Sequence, residues 1–133
     1  MLDTWVIEEP HLKYKSDKII DNYHKLWGKE ASIFDQYIAR VSSVFLETFL
    51  FYSGFYYPLY LAGQGKMTTS GEIIRKILLD ESIHGVFTGL DAQSLRNELS
   101  ESEKQKADQE MYKLLNELYD NEVSYTHLSL IHI

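Results

Sequence analysis

The 133-residue sequence predicts an all-α fold, on three observations. Apolar residues recur with a period near 3.6, and no stretch sustains the alternation in twos of a half-buried strand. Only two prolines and seven glycines interrupt the chain. Two stretches, Thr69 with Glu72 and Ser100 with Glu103, carry the Ser/Thr-x-x-Glu pattern in which hydroxyl and carboxylate satisfy each other's backbone N–H at a helix start.

Residues 2–7 read as the tail of a helix halted at Glu9-Pro10, because the residue before a proline is pushed out of the α region. Ser16 is suited to cap the next helix, whose Ile19, Ile20, Tyr23, Leu26 and Trp27 share helical spacing, and Gly28 to close it. A longer helix is expected from about Ala31 towards Leu61. Gly54 and Pro58 within it predict a distortion, since Pro58 cannot donate to the Gly54 carbonyl. The loop Ala62-Gly63-Gln64-Gly65-Lys66 follows, and the Thr69 capping box opens a helix to about Asn97. Ser100 opens the last, with Met111, Leu114, Leu115, Leu118 and Val123 on one face and an end near Tyr125. Four consecutive helices with short connections suggest an up-and-down bundle. Residues 128–133 have neither cap nor charge, and read as an atypical tail to a domain of residues 1–127.

Composition narrows the function. A net charge of −7 and a pI near 5.1 argue against nucleic acid as the main partner. No cysteine is present, which excludes disulfides, thiolate metal sites and a thiol nucleophile. With no long uninterrupted apolar run and no basic-plus-apolar leader, no membrane association is expected, and a cytoplasmic location is.

The chemistry concentrates in Asp80-Glu81-Ser82-Ile83-His84 and in Glu47. At 100° per residue, residues 73–90 place Ile73, Ile77, His84 and Thr88 in one sector with Asp80 and Glu81 at its margins, so these polar groups are expected to face the interior. The same projection lays Val44, Glu47, Phe51 and Phe55 along one stripe, where Glu47 interrupts an apolar face. A carboxylate there must be neutralised, paired or bound to metal, because desolvation costs several kcal/mol. Glu81 and His84 are one turn apart, so a carboxylate oxygen and an imidazole nitrogen can reach one ion. Glu-x-x-His on one helix with a Glu on its neighbour is half of the two-metal carboxylate site of ferritin-like bundles.

Other Glu/Asp-x-x-His spacings carry less. In Glu8-Glu9-Pro10-His11 the proline breaks the aligning turn, and Asp21 with His24 lies on a lysine-rich polar face. His127 and His132 fall at the tail. Tyr52, Tyr56, Tyr57 and Tyr60 are read as amphipathic packing residues, and Glu98, Glu101 and Glu103 as a solvated helix start.

Val44-Phe45-Leu46-Glu47-Thr48-Phe49-Leu50-Phe51-Tyr52-Ser53-Gly54-Phe55, with Ile73-Ile74-Arg75 leading to Asp80-Glu81-Ser82-Ile83-His84-Gly85, resembles the small, radical-generating subunit of ribonucleotide reductase, most like the class Ib form of bacteria. The spacing of Glu47 from Glu81 agrees with that family, and the resemblance spans roughly residues 3–126. It implies a partial ferritin-like bundle, with Glu47, Glu81 and His84 as ligands of two manganese or iron ions. It further implies that Asp80 hydrogen-bonds a ligand histidine on the radical-transfer path, and that Phe51, Phe55 and Ile77 line the pocket of the radical tyrosine. The implied partners are a second small subunit, the large catalytic (alpha) subunit and, for the manganese form, a flavodoxin-like activase. The family's first aspartate ligand, first Glu-x-x-His and radical tyrosine have no counterpart here, so three of six ligands remain and the chain alone is expected to be inactive. Two rival readings are a ferritin-like oxidase or iron store whose site is assembled from two chains, and a helical interaction module with a buried polar cluster.

Overall fold

The computed structural model describes residues 8–27 and 30–130. Helix α1 spans Pro10–His24, α2 Ile33–Phe45, α3 Phe51–Gly63, α4 Thr68–Glu98 and α5 Glu101–Leu130. A π-helical turn, Leu46–Leu50, joins α2 to α3, so the elements form four rods. No strand occurs among the described residues. The expected helix tail at residues 2–7, the stop at Gly28 and the position of His132 lie outside them.

Helix starts show where local signals held. Glu9 is extended (φ −81°, ψ 115°), as a residue before proline should be, and its carboxylate accepts the Leu12 N–H at 2.6 Å. Pro10 takes the first helical position, where its missing N–H costs nothing. The expected cap at Ser16 is therefore wrong: Ser16 lies inside α1. Ser32 caps α2, its Oγ accepting the Asp35 N–H at 3.1 Å. The Ser100 box forms, with Ser100 N–H donating to Glu103 Oε2 at 3.0 Å and Glu103 N–H to Ser100 Oγ at 3.4 Å. The Thr69 box does not. Left-handed Met67 (φ 53°), after Gly65 at φ 78°, turns the chain straight into Thr68, which leaves Thr69 inside the helix with Met67 at the cap. Helix α5 continues past the expected end near Tyr125 to Leu130, since neither glycine nor proline intervenes.

The break in the long second rod also differs from expectation. The ladder widens at Leu46–Leu50, upstream of Gly54 and Pro58, and Pro58 sits inside α3. A π turn inserts one residue's worth of rotation, so it re-aims the side chains on either side of it. Glu47 lies within that turn.

Two apolar clusters hold the rods together. Tyr37, Ile38 and Val41 of α2 pack with Ala92 and Leu99 at the end of α4 and Ala107 of α5. Ile19 of α1, Leu50 of the π turn, and Leu114 and Leu118 of α5 form the second. Polar pairs tie α1 in place: buried Asn22 Nδ2 donates to Ser42 Oγ at 2.9 Å, and Lys15 Nζ to Glu122 Oε1 at 2.8 Å. Arg96 clasps Asp108 through Nε and Nη2 at 2.8 and 2.6 Å, fixing α5 on α4.

The face of α4 that meets the second rod is made of its small residues. Gly71, Gly85 and Ala92 are its buried positions. A Cβ at Gly71 would collide with Ala62, and one at Gly85 with the Thr48 methyl. Glycine is thus required at both crossings for the backbones to approach this closely.

A candidate metal centre on an open helix face

Glu47 comes from the π turn, and Glu81 and His84 from the middle of α4. Gly85, next to His84, sits against Thr48, next to Glu47, so a close crossing of the two rods carries the three polar groups to one place. Thr48 Oγ1 donates to the Val44 carbonyl at 2.5 Å, which fixes its methyl towards Gly85. One ligand atom from each of Glu47, Glu81 and His84 lies within 4.8 Å of the others, the one such cluster among the described residues. His84 Nδ1 is 3.2 Å from Glu81 Oε2.

Glu47 Oε2 is buried with no hydrogen-bond partner. Burial first, and the neighbouring Glu81 carboxylate second, push the Glu47 carboxyl above the usual glutamate range, and His84 partly offsets them. A buried, unpartnered carboxylate oxygen facing a second carboxylate and an imidazole is costly as it stands. Two oxygens and a nitrogen suit a manganese or iron ion, so the donor set fits such a group.

The expected inward projection of α4 is corrected by the structure. Glu47 and Glu81 are half-buried, but the His84 side chain is 60% exposed, and Ile73 and Asp80 are exposed. The periodicity tracks bulky apolar side chains, whereas the contact that orients α4 is made by glycines and an alanine, which hydropathy scarcely registers. The bulky residues are left outside: Leu79, Ile83, Val86, Phe87 and Leu90 are each more than half exposed.

Asp80 stands apart from the cluster of three. Phe51 and Phe55 pack on each other in a tilted pair, ring centroids 5.8 Å apart, and line an apolar groove of about 500 Å³ between α1 and α3 with Ile19, Ile20 and Leu50. Ile77, half-buried on α4, does not line that groove. Tyr52, Tyr56, Tyr57 and Tyr60, expected as packing residues, are 44–53% exposed, with Tyr56 and Tyr60 stacked on one another. Of the other histidines, His11 pairs through Nδ1 with Asn121 Oδ1 at 3.0 Å, and His24 rests on Trp27.

Sequence reasoning missed Thr48, Gly85 and the π turn. A glycine in mid-helix directly after a candidate ligand was the available signal, since glycine there costs about 1 kcal/mol against alanine without a packing reason. The π turn left none, as residues 46–50 contain neither glycine nor proline.

Comparison with known proteins shows what the chain and its fold are similar to. The family model for ribonucleotide reductase, small chain, matches residues 2–132. The ribonucleoside-diphosphate reductase subunit beta of Bacillus subtilis is 49% identical over 123 residues, covering 92% of this chain and 36% of the relative. The ribonucleoside-diphosphate reductase 2 subunit beta of Escherichia coli is 42% identical over 87 residues, 65% of this chain and 27% of the relative. The crystal structure of Streptococcus sanguinis dimanganese(II)-NrdF superposes with a TM-score of 0.77 at 43% identity, covering 92% of this chain and 41% of that one. The chain spans about a third of the length of the curated relatives it matches.

Proposed function

Because the chain belongs to the small-chain family of ribonucleotide reductase, we propose that it is a segment of a ribonucleoside-diphosphate reductase beta subunit, an oxidoreductase component, and contributes half of a two-metal carboxylate site. The observation that carries this reading is the convergence of Glu47, Glu81 and His84 within 4.8 Å around the orphaned Glu47 oxygen. Glu47, Glu81 and His84 would hold the manganese or iron. When bound, such a metal pair supplies the one-electron oxidising power that makes a tyrosyl radical for deoxyribonucleotide synthesis.

The chain's own residues position and shield. Gly85 and Thr48 set the separation of the two ligand-bearing rods. Asp80, one residue before Glu81, is assigned to the hydrogen bond that orients a ligand histidine in the assembled subunit and to the radical-transfer path, a role that fixes tautomer and ring direction. Phe51, Phe55 and Ile77 are assigned to the apolar lining that keeps water from the radical. In that reading the subunit works in the cytoplasm as a homodimer, docks on the large catalytic subunit and, in the manganese form, is loaded with the help of a flavodoxin-like activase. Among the described residues no helix is long and apolar enough to cross a membrane.

Titration of the chain with Mn(II), followed by free-ion electron paramagnetic resonance, tests the ligand assignment. Uptake is expected in the wild type and lost in Glu47→Gln and in His84→Ala. A purely hydrogen-bonded polar cluster would tolerate Glu47→Gln, so equal uptake by wild type and Glu47→Gln would sink the assignment.

A further inference from the structure

We infer, resting on the ligand reading above, that Lys15 and Ser53 are positioning residues for the metal centre: they tether the π turn to α1 and α5 and so fix where Glu47 stands. Glu47 Oε2 has no hydrogen-bond partner of its own, so its aim depends on the backbone turn from which it springs. A π turn is rare, and residues 46–50 contain neither glycine nor proline to favour one. What holds the turn must therefore reach it from outside.

Leu50, the last residue of the turn, puts its side chain among Ile19, Leu114 and Leu118. Its carbonyl accepts from Ser53 Oγ at 3.1 Å, and that oxygen accepts in turn from Lys15 Nζ at 3.1 Å. Lys15 Nζ also donates to Glu122 Oε1 at 2.8 Å and lies 5.1 Å from the centre of the Tyr125 ring. The link thus runs from α5 through α1 to the end of the turn that carries Glu47. Every member belongs to this chain, so the link does not depend on what covers the outer faces of the bundle. Its direction is set by chemistry. An ammonium only donates, so Ser53 receives a proton from Lys15 and spends its own single proton on the Leu50 carbonyl. A hydroxyl that would otherwise rotate is locked onto the π turn. The Lys15 and Glu122 side chains are only 14% and 8% exposed. A buried ion pair of this kind adds little net stability, because desolvation offsets most of its attraction. What it supplies here is a fixed donor at a fixed point.

Mn(II) binding to the full-length subunit carrying this segment tests the tether, read by electron paramagnetic resonance of the free and bound ion and set beside urea unfolding. Ser53→Ala removes the hydroxyl and leaves the Lys15–Glu122 pair in place. It should weaken Mn(II) binding by roughly tenfold, as loss of support behind a ligand does, and alter the bound-ion spectrum with the unfolding midpoint unchanged. Ser53→Thr keeps the oxygen and should restore both affinity and spectrum. Lys15→Met with Glu122→Leu replaces the pair by apolar side chains without stranding a charge. It should weaken binding as Ser53→Ala does, and the two changes combined should add little, because they cut the same link. Wild-type affinity and spectrum in Ser53→Ala would overturn the tether while leaving the ligand assignment intact. An equal loss in Ser53→Thr would overturn it as well, since the effect would not follow the hydroxyl. Wild-type binding and spectrum in Glu47→Gln would overturn the ligand assignment and the tether with it.

Discussion

Leu118 and Leu79 are leucines on neighbouring long helices; the first is wholly buried and the second is 64% exposed. Leu118 belongs to the cluster where α5 meets α1 and the π turn, whereas Leu79 stands on the outward side of α4, close in sequence to Glu81. One region of the molecule is closed by its own residues. The other, around the candidate metal centre, is bounded by apolar side chains facing outward. The contrast teaches that an amphipathic stripe declares that a face needs covering, without declaring that the covering is present in the same chain.

The largest expected effect is therefore in the closed region. Leu118→Ala should cost about 2–5 kcal/mol, through lost transfer energy and the cavity left behind, measured by urea unfolding. Leu79→Ala should fall within about 0.5 kcal/mol of wild type. Equal costs would erase the distinction between the two regions.

Gly85→Ala comes next, at about 1–3 kcal/mol, because overpacking the crossing outweighs the gain in helix propensity. The added Cβ collides with the Thr48 methyl, so Thr48→Ala in the same chain should recover most of the loss in a thermal melt. A double variant no better than the single one would show that the crossing is not set by this contact.

A smaller effect, of known direction, belongs to Glu47. Its carboxyl is raised by burial and by Glu81, so the native chain binds that proton more tightly than the unfolded one. Stability from this source is fully present below the unfolded glutamate value of about 4.3 and is lost as pH rises through the raised native value. In chelator, Glu47→Gln should gain on wild type as pH climbs through that window, followed by urea midpoints at several pH values. A difference that stays flat, or grows towards acid, would contradict the burial of this carboxylate.

The smallest expected effect is at the surface tyrosines. Tyr57→Ser, at a position 48% exposed, should leave the unfolding midpoint of the isolated chain within about 0.5 kcal/mol of wild type. A larger loss would mean that α3 takes part in the closed core.

Much was legible in the residues themselves. The Ser100 box forms as expected; the starts after Glu9 and at Ser32 rest on bonds just as local, made within four residues, although the expected starts were Ser16 and about Ala31. The Thr69 box failed because the backbone of Gly65 and Met67 had already set the turn. The pairing of Glu81 with His84 follows from helical spacing alone, and the family pattern adds Glu47. That these three meet, and on which side of α4, depends on how closely two rods approach. Closeness was decided by Gly71 and Gly85 against Ala62 and Thr48, and by a π turn with no mark in the sequence. Local hydrogen bonding and residue spacing are properties of the chain, so the sequence determined the helices and the candidate ligand set. The burial of Glu47, the exposure of His84 and the bare face beside them arise from packing between segments distant along the chain, and only the tertiary structure decided them.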